Sequence, residues 1–269
     1  EKVYEVQKDY MSIAFSKNTA DAVIKQWQQA LDELKSDGTY AQIFSQWIMF
    51  SYTQDLQPEA PSEINLSDEE KRWLHQHPVI RMAPDPDYAP FQFRAENGTS
   101  TGVADDYLRL IGEKLNVRFE PVSTDSWGDS LQRVKDREAD LVAVAAKNPE
   151  RMEYMHFTAP YVEFPDVIIT RTSHARISSL DELRGETIAS VKGFAINQFI
   201  KEKHPEIKLL MTPNVKSALQ SVSTGEADAS VMNIATTSYS IEKWNITNLR
   251  INDMAGFSSK LAFASRTDW

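Results

Sequence analysis

Two kinds of hydrophobic pattern divide the chain. Val23, Ile24, Trp27, Leu31 and Leu34 recur at helical spacing over residues 19–37, with Asn18 or Thr19 able to cap the start and Gly38 after the end. Tyr40, Ile43, Phe44, Trp47 and Ile48 mark one face of a second helix. Residues 54–62 then carry Pro58 and Pro61 without periodicity and read as a linker. Ser67-Asp68-Glu69-Glu70 is a capping-box pattern, opening a short helix through Trp73 and Leu74 that His77-Pro78 stops.

From Val79 onward, short apolar runs alternate with amphipathic stretches. Strands are expected at Val79–Ala83, Arg118–Pro121, Asp140–Ala145, Val167–Arg171, Thr187–Val191, Lys208–Met211 and Ala229–Met232. Helices are expected between them, around Asp105–Leu115, Ser130–Arg137, Phe194–Lys203, Val215–Thr224 and Ile234–Trp244. Such alternation implies an α/β fold with mostly parallel sheets.

Two internal echoes organise this pattern. Leu131, Gln132, Val134, Glu138, Ala139 and Asp140 recur as Leu219, Gln220, Val222, Glu226, Ala227 and Asp228, at a constant offset of 88. In both copies an amphipathic helix ends in a polar turn and feeds a buried strand, which points to two similar α/β lobes rather than a solenoid. The second echo links Ser12-Ile13-Ala14-Phe15 to Lys260-Leu261-Ala262-Phe263. Residues 1–52 therefore read as the tail of one domain, a strand plus two helices, with 53–77 a linker containing a short helix. Residues 78–269 read as a copy of the same domain without that helical tail, so the chain looks like a fragment of a tandem array.

Composition narrows the function. Of the 269 residues, 41% are hydrophobic and 25% charged, the balance of a globular protein that can bury a core. The net charge of −10 repels phosphate backbones, so a nucleic-acid partner is not expected. No stretch approaches about 18 uninterrupted apolar residues, so any membrane attachment would come from segments absent from this chain. The absence of cysteine removes thiolate metal sites, Cys nucleophiles and disulfides. His75, His77, His156, His174 and His204 show no metal-type spacing, so neither metal nor cofactor is expected.

Five segments carry a resemblance. Ala83-Pro84-Asp85-Pro86-Asp87-Tyr88-Ala89-Pro90-Phe91 is followed by Gly102-Val103-Ala104-Asp105-Asp106-Tyr107. Asn148-Pro149-Glu150-Arg151 then runs on to Phe157-Thr158-Ala159-Pro160-Tyr161. Val191-Lys192-Gly193-Phe194 and Gly225-Glu226-Ala227-Asp228 come next, and Leu261-Ala262-Phe263-Ala264 completes the order. Together they resemble the family 3 bacterial extracellular solute-binding proteins. Leu66–Leu74 followed by His77-Pro78 is similar to the linker before the Venus-flytrap modules of membrane-anchored sensor kinases and diguanylate cyclase receptors, where such modules occur in tandem. The resemblance implies a two-lobed periplasmic-binding-protein type II fold with a two-strand hinge, preceded here by a helical segment. Lobe one would take 78–169 and 258–269, and lobe two 170–257, with the ligand in the cleft at the strand ends.

Carried over from the family, Arg151 grips a ligand carboxylate, for which a guanidinium suits the bidentate geometry; its alternative is a surface pair with Glu150 or Glu153. Asp85, Tyr88 and Phe91 form the first loop and offer an aromatic wall and a polar group, or simply pack that loop. Trp127 can close the pocket or belong to the core. Gly193 and Phe194 open a helix whose free N–H groups can bind a carboxylate, or make an ordinary turn. Amino-acid-binding members carry Asp where Asn233 stands, hydroxyls near Val144 and Ala146, and Thr where Asn148 stands. These departures put an α-amino acid in question, and a carboxylate without an ammonium, or a polar solute that is not an amino acid, carries equal weight with it.

The function implied is a non-enzymatic, periplasmic module of a transmembrane receptor that senses a polar, carboxylate-bearing solute, an amino acid or a related compound, by cleft closure beside a neighbouring solute-binding domain in the same polypeptide. A free solute-binding subunit of an amino-acid-type importer is the alternative. An enzyme on the same fold, a dehydratase or a lytic-transglycosylase-associated module, is a third reading.

Overall fold

The computed structural model describes residues 2–5, 12–15 and 66–268. The chain separates into two compact units, Glu1–Asn65 and Leu66–Trp269. In the first, β1 (Lys2–Glu5) pairs antiparallel with β2 (Ser12–Phe15). The helices expected over 19–48 and the linker over 54–62 lie outside the described residues.

The second unit opens with α1 (Asp68–Gln76). Both arms of its capping box form: the Glu70 N–H donates to Ser67 Oγ at 3.2 Å, and the Ser67 N–H donates to Glu70 Oε2 at 2.7 Å. The chain continues through β3 (Val79–Met82), β4 (Asp87–Tyr88), β5 (Gln92–Arg94), β6 (Ser100–Thr101), α2 (Val103–Leu115), β7 (Arg118–Pro121) and α3 (Trp127–Lys135). It then forms β8 (Leu141–Ala146), α4 (Pro149–Met152), β9 (Met155–Phe157), β10 (Val162–Arg171), a 3-10 turn (Leu180–Leu183) and β11 (Thr187–Val191). The last elements are α5 (Ile196–Lys203), β12 (Lys208–Thr212), α6 (Val215–Thr224), β13 (Ala229–Asn233), α7 (Ile234–Lys243) and β14 (Leu249–Arg266).

Nine strands form one mixed sheet in the order β12-β11-β13-β10-β14-β8-β3-β7, with β9 alongside β14. Two parallel trios, β12-β11-β13 and β8-β3-β7, flank the antiparallel pair β10–β14. Each trio with its helices makes one lobe, and only the antiparallel pair runs through both. Helices cover both faces of the lobe-two trio, because successive residues of a buried strand face opposite sides. Val167 and Ile169 pack with Leu219 and Met232, whereas Ile168 packs with Leu183, Ile188, Ile200 and Val231. Lobe one has its own core around Met82, Leu108, Val142, Val144, Met155 and Leu261.

The clearest departures from the sequence reading lie in the long and the very short strands. The strand expected to begin at Val167 begins at Val162, and the C-terminal strand expected near 260–266 extends over Leu249–Arg266. Both pass from one lobe to the other, so no single buried face gives them a uniform period. The small antiparallel sheet β4-β5-β6 was not expected at all; its strands are two or three residues long, too short for alternation to show.

Candidate functional site

The site lies where the strand ends of the two lobes meet. Lobe one delivers its charge through a short cap. Asn148 accepts the Arg151 N–H on its Oδ1 at 2.8 Å, and Pro149 takes the first helical position, so α4 starts just past β8 and turns Arg151 inward. Arg151 is 3% exposed. Its guanidinium donates to the carbonyls of Ala146 in lobe one and Gly193 in lobe two, and stands 5.3 Å from the Trp127 ring. Among the described residues no carboxylate lies within ion-pair distance of it. Burial pulls its pKa below the ordinary guanidinium value, with Tyr154, Glu150, Tyr88 and Asp85 acting weakly the other way.

Lobe two answers through the β11–α5 turn. Gly193 adopts φ +89°, a conformation that costs other residues energy, and a Cβ there would stand 3.2 Å from Trp127 Cδ1. Its carbonyl also accepts from Trp127 Nε1 at 3.3 Å. The next residue, Phe194, meets the Tyr88 ring edge-on at 5.1 Å. Asn233 ends β13 and caps α7, accepting the Thr236 N–H at 2.8 Å, while its Nδ2 donates to the Tyr88 hydroxyl at 2.6 Å. The lobes are thus in direct contact across the cleft, leaving a cavity of about 20 Å³. That is room for about one water molecule, so a larger solute enters only when the lobes part.

Asp85, Tyr88, Trp127, Ala146, Arg151, Phe194 and Asn233 line this cavity together. Three expected residues do not. Phe91 stands behind Tyr88, 5.4 Å from it and 5.5 Å from Phe164. Asn148 is turned to capping, and Gly193 contributes its carbonyl beside the cavity rather than a lining surface. Of the N–H groups expected to bind a carboxylate at Gly193 and Phe194, that of Phe194 is engaged within the turn. The Phe194 N–H donates to the Val191 carbonyl at 3.1 Å, and α5 begins at Ile196, so Ala195 and Ile196 line the cavity beside Phe194.

Asp166 and Ser259 also line the cavity and were missed. Asp166 is 1% exposed and accepts from Ser259 Oγ at 2.7 Å. A carboxylate directly before the apolar run Val167-Ile168-Ile169 is the signal that was available. Ser259 gave none, because only the fold brings β14 to β10. Burial pushes the Asp166 carboxyl up to about 7, against the hydrogen bonds from Ser259. It also pushes Asp85 up to about 7, opposed by the Asp87 N–H and the positive charge of Arg151. The Tyr88 phenol is raised too, by burial and then by Asp166. Among the described residues no group of three or more His, Cys, Asp and Glu could hold a metal ion.

The sequence model of the bacterial extracellular solute-binding proteins, family 3, matches residues 80–230. The virulence sensor protein BvgS of Bordetella bronchiseptica is 28% identical over 185 residues, covering 69% of this chain but 15% of that protein. A probable amino-acid ABC transporter-binding protein of Haemophilus influenzae is 28% identical over 145 residues, 54% of this chain and 55% of that one. The cyclohexadienyl dehydratase of Pseudomonas aeruginosa is 26% identical over 154 residues, 56% and 57% of the two chains. Among solved structures, the periplasmic VFT2 domain of Bordetella pertussis BvgS superposes with a TM-score of 0.70 at 26% identity, covering 76% of this chain and 88% of that one. The fold is therefore the two-lobed periplasmic-binding-protein type II architecture.

Proposed function

The chain belongs to the bacterial extracellular solute-binding proteins, family 3, and on that premise we propose that it is the periplasmic sensing module of a transmembrane receptor, closing on a small carboxylate-bearing solute. One observation carries the reading: a buried guanidinium sits between the lobes, held by a carbonyl from each, with no carboxylate of the described residues within ion-pair distance. A buried charge without a counter-ion is costly, and a ligand carboxylate in the cleft supplies one. Because Arg151 bonds to both lobes, filling its free donor positions changes the balance between open and closed states. The receptor context rests on the likeness to BvgS, a sensor of which the chain spans 15%, and on the internal echo that suggests a neighbouring domain of the same kind. Residues 1–52 are proposed as the tail of that neighbour and 78–269 as the sensing domain.

Thermal unfolding of the whole chain against a panel of small carboxylates and polyamines tests this. A carboxylate at about 100 times its Kd raises Tm by roughly 5–10 °C. The shift is expected to vanish in Arg151→Ala. A shift of equal size in the variant removes Arg151 from the site, and a response to polyamines alone replaces the ligand class.

Asp85 and Asp166, whose carboxyls burial raises to about 7, favour one second reading, an acid-assisted loss of water like that named in the dehydratase relative. Chromatography of a cyclohexadienyl acid incubated with the chain decides it: turnover that fails in Asp85→Asn and Asp166→Asn makes the module an enzyme.

A further inference from the structure

The small sheet β4-β5-β6 belongs to lobe one, yet it reaches lobe two at a place outside the cavity. Its middle strand is anchored in lobe one on both sides of Phe93. Gln92, fully buried, accepts the Asp85 N–H on its Oε1 at 3.1 Å and donates from Nε2 to Asp105 Oδ2 at 3.3 Å, and Arg94 donates to the Thr124 carbonyl. Alternation along the strand turns Phe93 the other way, toward α7 of lobe two. There its ring stands 5.9 Å from that of Tyr239, and Lys243 Nζ lies 5.3 Å from the Phe93 ring and 5.4 Å from that of Tyr239. Asp87, opposite Phe93 across β4 and β5, feels the same lysine: partial burial raises its carboxyl, with Arg94 and then Lys243 acting the other way. Ala235, Tyr239 and Lys243 recur every four residues on one face of α7, and Ala235 packs on the core of lobe one. The rest of the helix is fixed in lobe two, with Thr236, Thr237 and Ser240 buried and Ile241 in that lobe's core. The seam between the lobes thus continues about 12 Å along α7 beyond the cavity.

We propose that this seam is a clasp: Phe93 of lobe one, set on Tyr239 and Lys243 of lobe two, holds the module shut before any solute enters. The inference does not depend on which solute the cleft takes. A solute in the cavity competes for the groups of the Arg151–Gly193 and Asn233–Tyr88 bonds, because they line or border the space it fills. It does not compete with the clasp, none of whose three residues lines the cavity. The clasp therefore sets the resting balance of open and closed states, and with it the fraction of molecules a solute can enter. One tilted ring pair and one lysine over both rings, partly exposed to solvent, shift such a balance on the order of tenfold. The three-stranded sheet has a role in this arrangement: strands of two or three residues bury little, but they hold Phe93 rigidly at the far end of α7.

The chain has no cysteine, so one introduced thiol reports opening by its rate of alkylation with iodoacetamide. Val144→Cys places it in the cavity wall, at a position 3% exposed, where reagent arrives only when the lobes part. When reclosing is fast, the rate follows the open population. In the otherwise native chain this thiol is expected to react at least tenfold more slowly than in urea; a rate equal to that of the unfolded chain shows lobes that rest open and overturns the proposal. Phe93→Ala is expected to raise the rate on the order of tenfold, and Tyr239→Ala somewhat less, because Lys243 still meets Phe93. Adding Tyr239→Ala to Phe93→Ala should gain little, since the first change already removes every contact of the clasp; effects that multiply show that the two rings do not act as a pair. Lys243→Gln, at an exposed position, is expected to raise the rate about threefold and stands in if the ring variants fail to fold, while Lys243→Arg keeps the native rate. Thiols at Val142 and Val222 instead, in the cores of the two lobes, report unfolding and should not respond. Rates at 144 that stay within twofold of native in every variant overturn the clasp, and so does an equal acceleration at all three thiols, which is loss of folding rather than opening.

Discussion

The helix–strand unit of lobe one and that of lobe two are built on one local code and diverge only at their ends. Ser126 caps α3 by accepting the Asp129 N–H at 3.2 Å, and 88 positions later Asn214 caps α6 by accepting the Ser217 N–H at 2.8 Å. The turn after each helix needs a positive φ, +63° at Arg137 and +87° at Gly225. Asp140 and Asp228 then tie the next strand to its neighbour, each accepting a backbone N–H at 2.9 Å, from Arg81 and Thr187. Past the strand the copies part. Lobe one sets Asn148 two residues beyond β8 and so delivers a buried arginine. Lobe two caps at once with Asn233 and delivers an amide. The scaffold is duplicated, and the chemistry sits in the few residues where the duplicates differ.

The strongest way to separate the cleft from this scaffold is pH. Asp85 and Asp166 each have a carboxyl raised from 3.8 to about 7 in the folded chain. A raised carboxyl favours the folded state fully below about pH 4, and that contribution is lost as pH rises through 7. Stability is therefore expected to fall between pH 4 and 7, by up to about 1.4 kcal/mol per pH unit for each group. Urea unfolding of the native chain and of a double Asn variant at 85 and 166 measures it. The variant should show the flatter profile, and matching slopes would remove both carboxyls from the cause.

Next in size is the contrast between the two strand-tying aspartates. Asp140 is buried and pairs with Arg81 at 2.5 Å and Arg266 at 3.2 Å, whereas the side chain of Asp228 is 39% exposed with Arg171 at 3.9 Å. Asp140→Ala is expected to cost about 3 kcal/mol and Asp228→Ala about 1 kcal/mol in urea unfolding. Equal losses would mean that the backbone tie, common to both, outweighs the ion pairs. The smallest effects belong to the turns. Gly225→Ala should cost about 1 kcal/mol from its φ alone, since a Cβ there meets only ordinary contacts, and Arg137→Gly should add about 0.5 kcal/mol. A loss on Arg137→Gly would show that its 3.4 Å pair with Asp268 outweighs the backbone strain.

Much of this frame was legible before any coordinates. The capping box at Ser67–Glu70, the strands at 118–121 and 187–191 and the helix at 215–224 fall where periodicity and cap residues put them, because those signals are local. Arg151, Tyr88 and Asn233 were named as a group only through their order along a family pattern, since 145 positions separate Tyr88 from Asn233. Asp166 and Ser259 escaped because neither belongs to a motif.

By itself the sequence determined the alternation of elements and the duplicated helix–strand code. These depend on spacing, capping and turn chemistry within about ten residues. Tertiary structure decided which carbonyls hold Arg151, that Asn148 and Asn233 serve as caps, and that two carboxyls without a cationic partner among the described residues share the cleft with one guanidinium. Burial and charge pairing are properties of groups brought together from distant strands, and no local pattern encodes a partner 90 residues away.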